Sequence, residues 1–207
     1  MEVASHYFTF THGDPYNFPW HLVSLPIFPS ALDVLQVYAP NLVDGFLHRY
    51  DPAALSYITF TIFDEEYYGP PMPTWGNWFQ VIDPGGETIS YTGVRTDFPV
   101  RTLLSPQFVG GWHIIGFSIL TPIQLADCSA YNPAIGESCD MATAVARGWI
   151  GLPLWGYSNP EGRYTTVDLD GPPFSDTTEI EPWMGYWVNS MATNIVLITP
   201  RPSGPTP

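Results

Sequence analysis

The chain contains no lysine. Its six cations are all arginine, at 49, 95, 101, 147, 163 and 201, against twenty acidic residues, and the formal net charge is −14. Such a surface repels a phosphate backbone, because nucleic-acid binding depends on neutralising phosphates with clustered cations. Nucleic acid is therefore not an expected partner. The acid excess reads as a solubility device for an aromatic-rich chain, with adaptation to salt as the alternative. Long apolar runs are also missing: no stretch approaches the ~20 residues of a membrane-spanning helix. The first ten residues, MEVASHYFTF, lack the basic start and apolar centre of a secretory leader. Cysteine is scarce. Cys128 and Cys139 stand 11 positions apart in LADCSAYNPAIGESCDMA, a segment expected to be loop. A disulfide across that ring would stabilise by up to roughly 3 kcal/mol in the chain-entropy model. Two free thiols are the alternative. A metal site is disfavoured, since the spacing is not C-x-x-C and no histidine lies close.

What the chain does have is proline, glycine and aromatics. With 23 Pro and 18 Gly in 207 residues, long helices are excluded. Aromatics reach 15%, set among Thr, Val and Ile, a mixture suited to half-buried pleated surfaces. Three short blocks recur in one order. WHLVSLPI (20–27) matches WHIIGFSI (112–119), an offset of 92. Tyr50 and Tyr57 match Tyr157 and Tyr164, an offset of 107. Gly76 and Trp78 match Gly185 and Trp187, an offset of 109. An internal duplication follows. The offset grows mainly across the cysteine-bearing segment of the second copy.

Each copy reads as short strands with turn signals between them. GFLHRYDP and LSYITFTIF form one strand–turn–strand unit. NWFQVIDPGGETISYTG reads as a second hairpin about Asp-Pro-Gly-Gly, with YWVNSMATNIVLITP as its counterpart. ALDVLQVYAP permits one or two helical turns. The expected fold is all-β, an antiparallel sandwich or barrel of two tandem related modules, at 1–107 and 108–207.

WHLVSLP near the start of one copy and EPWMGYWV near the end of the other resemble a β-rich accessory module of secreted and surface-exposed microbial proteins. That module opens on an N-L-I-S-L-P-like strand and closes on a P-G-x-G-Y-W-I-like one. His21 and His113 stand where its pattern has Asn, and PTWGNWFQV is a weaker closing strand. The resemblance implies a non-catalytic domain and brings no catalytic residues.

Motifs for chemistry are sparse. The G-x-S-x-G turn of a serine nucleophile is absent, and GFSIL supplies only its first half. The histidines at 6, 12, 21, 48 and 113 form no H-x-H or H-x-x-x-H pair. His21 and His113 are repeat-equivalent, which favours a packing or hydrogen-bonding role. Two acid groups, Asp64–Glu66 and Asp168–Glu181, could line a sugar cleft, but read more simply as solvated loops. DLDG fails the full calcium-loop pattern. Trp20 with Trp112, and Trp78 with Trp187, are repeat-equivalent and therefore expected in the core. Trp75, Trp155 and Trp183 have no tryptophan counterpart, which makes them the candidate stacking residues for a glycan.

No cofactor and no metal is implied. The expected role is a non-enzymatic structural subunit of a viral or extracellular assembly, such as a capsid, decoration or fibre component. It would sit in a virion or at a cell surface, against copies of itself and neighbouring assembly proteins. The Pro-rich end, ITPRPSGPTP, would serve as an arm. The alternative is a carbohydrate-binding surface module.

Overall fold

A computed structural model describes residues 3–10, 20–38, 46–61, 69–81, 86–104 and 111–201 of the 207. The chain is all-β. Its first half runs β1 (Val3–Phe10), β2 (Trp20–Val23), β3 (Phe28–Pro29), α1 (Val34–Tyr38), β4 (Leu47–Asp51), β5 (Ser56–Phe60), β6 (Asn77–Gln80) and β7 (Glu87–Val94). Next come β8 (Val100–Leu104), β9 (Gly111–Gly116), β10 (Ile123–Gln124), β11 (Ser129–Asn132), β12 (Glu137–Asp140) and α2 (Met141–Ala146). The remaining strands are β13 (Ile150–Ser158), β14 (Arg163–Val167), β15 (Glu179–Ile180), β16 (Gly185–Ser190) and β17 (Ile195–Thr199).

The strand orders repeat. One sheet reads β2-β6-β4-β5 and another β9-β16-β13-β14. A third reads β1-β7-β3 and a fourth β8-β17-β11-β12. Each strand of the first half has its counterpart at the same place in the second, and every ladder in these sheets is antiparallel. The sheets are stacked as sandwiches, and among the described residues none closes into a barrel. β8 falls within the expected first module, 1–107, yet its whole ladder is with β17. By pairing, the change-over lies between β7 and β8.

Two apolar cores fill the sandwiches. In the first, Leu47, Phe60 and Phe79 from one sheet meet Ile89 and Tyr91 from the other, with Val34, Val37 and Tyr38 of α1 beside them. In the second, Leu154, Tyr186 and Val188 meet Leu104, Ile195 and Leu197, with Met141 and Ala144 of α2. The helices are short because their sequence supports no more. α2 starts where the Asp140 carboxylate accepts a hydrogen bond from the Thr143 N–H at 2.7 Å, satisfying one of the free donors of the first turn. Met141 and Ala144, three positions apart, present its single buried face.

Two sequence expectations about local structure are corrected. β6 and β7 are not a hairpin: β6 pairs with β2 and β4, and β7 with β1 and β3. β16 and β17 are divided between sheets in the same way. In each case the connection carries the chain from one sheet of the sandwich to the other. The first three residues of the Asp-Pro-Gly-Gly turn, 83–85, lie outside the described residues. The cysteine segment is not a plain loop but a 3-10 turn (Leu125–Asp127) followed by the β11–β12 hairpin. The Asn132 side chain accepts from the Ala134 N–H at 3.0 Å and so shapes the turn.

The halves meet along a seam that repeats itself. Val23 bridges Met184, and Ile115 bridges Trp75. These are one contact made twice, since 23 and 115 differ by 92 and 75 and 184 by 109. The backbone N–H of Ser24 donates to Trp183 at 2.8 Å, and that of its counterpart Gly116 to Thr74 at 3.1 Å. Gly76 and Gly185 let the backbones touch. A Cβ on Gly76 would lie 2.7 Å from the Ile115 carbonyl oxygen, and one on Gly185 would lie 2.9 Å from that of Val23 and 3.2 Å from the Gly76 Cα. Only glycine fits at this approach.

Candidate aromatic face

Side chains on a strand alternate between faces. In β6, Asn77 and Phe79 are buried while Trp78 is half-exposed. In β16, Tyr186 and Val188 are buried while Trp187 is half-exposed. The same alternation turns His48, Tyr50, Tyr57, Trp155, Tyr157 and Tyr164 outward, away from Leu47 and Leu154. The expectation that repeat-equivalent tryptophans form the core is therefore overturned. Trp20 and Trp112 occupy like positions at the start of equivalent strands, but Trp112 is 43% exposed and Trp20 half-exposed. The cores are closed by aliphatic residues and by the opposite-facing Phe79 and Tyr186, leaving the second ring of each strand for the outside.

These outward rings form one face that crosses the seam. Trp78 packs against Tyr157 of the second half at 5.3 Å, and Trp187 against Tyr50 of the first at 5.1 Å. Tyr50–Tyr57 and the equivalent Tyr157–Tyr164 both sit at 5.5 Å. Several pairs stand at steep angles, 85° for Trp112–Trp187, 85° for Trp155–Tyr164 and 70° for Trp78–Tyr157, while Trp20–His48 are tilted by 36°. Edge-to-face packing of this kind makes walls rather than a flat strip. Two hollows result. The first, about 490 Å³, is lined by Trp20, His48, Tyr57, Thr59, Trp78, Tyr157 and Tyr164. The second, about 430 Å³, is lined by Tyr50, Trp112, Trp155, Tyr164 and Trp187. They are repeat-related, with one exchange of chemistry: His48 stands where the second hollow has Trp155.

Two phenols and one imidazole of this face are shifted toward their neutral forms. Partial burial pushes the phenols of Tyr57 and Tyr164 above their ordinary range, because the phenolate would lose solvation. Desolvation lowers His48, which also shares a 2.8 Å hydrogen bond between Nδ1 and Thr59 Oγ1.

The three glycan candidates are not brought together. Trp155, 36% exposed, lines the second hollow. Trp75 is half-buried in the seam, with the Arg49 guanidinium 3.9 Å above its ring, and it lines a separate cavity beside His113. Trp183 is only 7% exposed and belongs to the core of the first half, edge-on to Tyr91 at 5.8 Å. It is packed as a core residue and also lines a cavity with Asp176, Glu179 and Glu181. The disulfide is not formed. Both thiols are free, because the hairpin register sets Cys139 opposite Ala130 and leaves Cys128 buried in the core. Burial pushes the Cys128 thiol up to about 12 and also raises Cys139.

The acids of the second group are mostly engaged. Asp176 accepts from the Thr166 N–H and hydroxyl and pairs with Arg163 at 2.9 Å, which holds its carboxyl below the usual range. The Glu179 carboxylate accepts from the Gln124 amide. Burial raises Glu181, with Glu179 adding to the effect. All three line a third cavity of about 510 Å³. Asp168 accepts a hydrogen bond from the Leu169 N–H. Asp64, Glu65, Glu66 and His12 lie outside the described residues, as does the tail 202–207. His113 is buried and driven down to about 4 by desolvation, whereas its counterpart His21 is half-buried. Among the described residues, no group of three or more His, Cys, Asp or Glu is placed to hold a metal ion, and no helix is long and apolar enough to cross a membrane.

No family model matches the chain, and neither does any curated protein or solved structure. The outward rings were missed in the sequence, although a signal was present. Trp78-Phe79 and Tyr186-Trp187 put two large rings at adjacent strand positions, and adjacent positions face opposite ways.

Proposed function

We propose that this protein is a non-enzymatic recognition module whose working surface is the aromatic face. The single observation that supports this reading is the pair of repeat-related hollows, open to solvent and walled by rings from both halves. Apolar rings left exposed on a strongly acidic chain mark a site that something else covers. Concave aromatic lining suits a small ligand group better than a broad subunit contact does.

An assembly subunit, the role expected from the sequence, would use the same exposed rings, since aromatic residues are enriched where proteins meet. Solution experiments separate the two. Tryptophan emission is followed while the chain is titrated with soluble oligosaccharides of the cello and xylo series and with tetramethylammonium, and the molar mass is measured by light scattering over the same concentrations. A recognition module gives a saturable change with at least one probe and a monomer mass. No response to any probe, together with an oligomer in which Trp112 and Trp155 are protected from quenching, would replace this reading with the assembly one.

A further inference from the structure

We infer that the second hollow is an aromatic cage for a quaternary ammonium group, such as the head of a choline-type ligand. The inference rests on the recognition reading above and specifies the chemistry that the face accepts.

Three observations converge on it. First, every residue lining it is aromatic: Tyr50, Trp112, Trp155, Tyr164 and Trp187. A sugar placed there would bring several hydroxyls, and the walls offer only phenol and indole groups to answer them; hydroxyls left unmet are costly. A quaternary ammonium has no N–H to satisfy and is weakly hydrated. Second, the rings are mutually steep, 85° for Trp112–Trp187, 85° for Trp155–Tyr164 and 59° for Tyr50–Trp187. Walls at such angles can bring more than one negative π-face around a compact group, which is how a cation is held without a counter-ion. Third, the charge fits: the chain is −14 and carries no lysine. Two arginines adjoin the hollow in sequence: Arg163 is engaged with Glu161 at 2.7 Å and Asp176 at 2.9 Å, and Arg49 lies over the Trp75 ring. The protein uses the same chemistry internally, with Arg49 over Trp75 and Arg147 over Trp149.

The first hollow is the built-in control. His48 replaces the wall that Trp155 provides, and Thr59 adds a hydroxyl. An imidazole is a poorer π-face for a cation than an indole, and a protonated one repels it. The second hollow is the tighter of the two.

The test compares choline and tetramethylammonium with 3,3-dimethylbutan-1-ol, which has the shape of choline without its charge. Total chloride is held constant with sodium chloride, and binding is read by calorimetry and tryptophan emission on the full chain. The cations saturate in the roughly millimolar range and bind at least about tenfold more tightly than the neutral analogue. Trp155→His lowers that affinity to the level of the first hollow, and His48→Trp adds a second site of similar strength. Thermal melts of each variant confirm that the fold is kept. If Trp155→His does not fold, His48→Trp and the neutral analogue decide the matter alone. Equal binding of the neutral analogue, or unchanged cation binding in a folded Trp155→His variant, overturns the cage. Oligosaccharide binding without ammonium binding overturns the cage and leaves the recognition reading standing. No binding of any probe overturns both.

Discussion

The two halves of this chain share a strand order and differ where their side chains meet something. The sheets, the seam bridges and the tyrosine pairs correspond position by position. Four differences stand out. Trp183 of the second half enters the core of the first, while its counterpart Thr74 is half-buried in the seam. His113 is buried where His21 is half-exposed. Leu55 takes a φ of 52° in the β4–β5 turn, where the second half has Gly162 at 62°. His48 faces Trp155 across the duplication. Backbone pairing thus tolerates little change, whereas the side chains at the seam and on the face have diverged. The first half is also not self-sufficient, since its core is completed by Trp183.

The largest contrast is expected between two tryptophans that the sequence grouped together. Trp183→Ala should cost about 3–5 kcal/mol by leaving a core cavity beside Tyr91, and chemical denaturation would read it. Trp155→Ala should stay within roughly 0.5 kcal/mol, as surface changes do. Equal effects would break the distinction between core and face. Gly76→Ala comes next, at about 3 kcal/mol, because its Cβ meets backbone that cannot swing aside. Gly185→Ala should cost less, its contacts being longer. If both are neutral, the seam is not the close approach described.

A smaller effect follows from His113. Its folded pKa is about 4, below the ordinary 6.5, so the unfolded chain binds the extra proton first as pH falls. Stability is complete above pH ~6.5 and declines toward pH ~4, by on the order of 3 kcal/mol. His113→Leu should flatten that part of the stability–pH curve, and an unchanged slope would show that His113 is not the group responsible. The least expected change is in the turns. Leu55→Gly should stabilise by up to about 1 kcal/mol, relief of the left-handed strain being partly offset by glycine's entropy, and Gly162→Leu should destabilise by about 1–2 kcal/mol. A melting temperature lowered by Leu55→Gly would contradict the equivalence of the two turns.

The duplication and the all-β fold were legible because Trp, Tyr and Gly at fixed offsets survive as letters. The β4–β5 hairpin was legible from its Asp-Pro signal. Layer assignment was not: a turn motif gives the reversal of the chain but not whether the next strand joins the same sheet, which is why β6–β7 and β16–β17 were taken as hairpins. The cysteine segment hid its strands because SAYN and ESCD carry no apolar alternation. The face was misread through a rule about composition. Equivalent tryptophans were given to the interior, although their immediate neighbours Phe79 and Tyr186 already occupied it. Trp183 could not be placed at all, because its partner Tyr91 is distant in sequence and reached only through the seam.

Fluorine NMR of the chain labelled with 5-fluorotryptophan tests the central claim most directly, by resolving the eight tryptophans and the shift of each on exchange from water to deuterium oxide. Trp112 and Trp155 should show a large solvent shift and move together on adding tetramethylammonium. Trp149 and Trp183 should show almost none and stay in place. Solvent-silent Trp112 and Trp155, or a wet Trp183, would mean that the outward rings are interior after all, and that no aromatic face exists to bind anything.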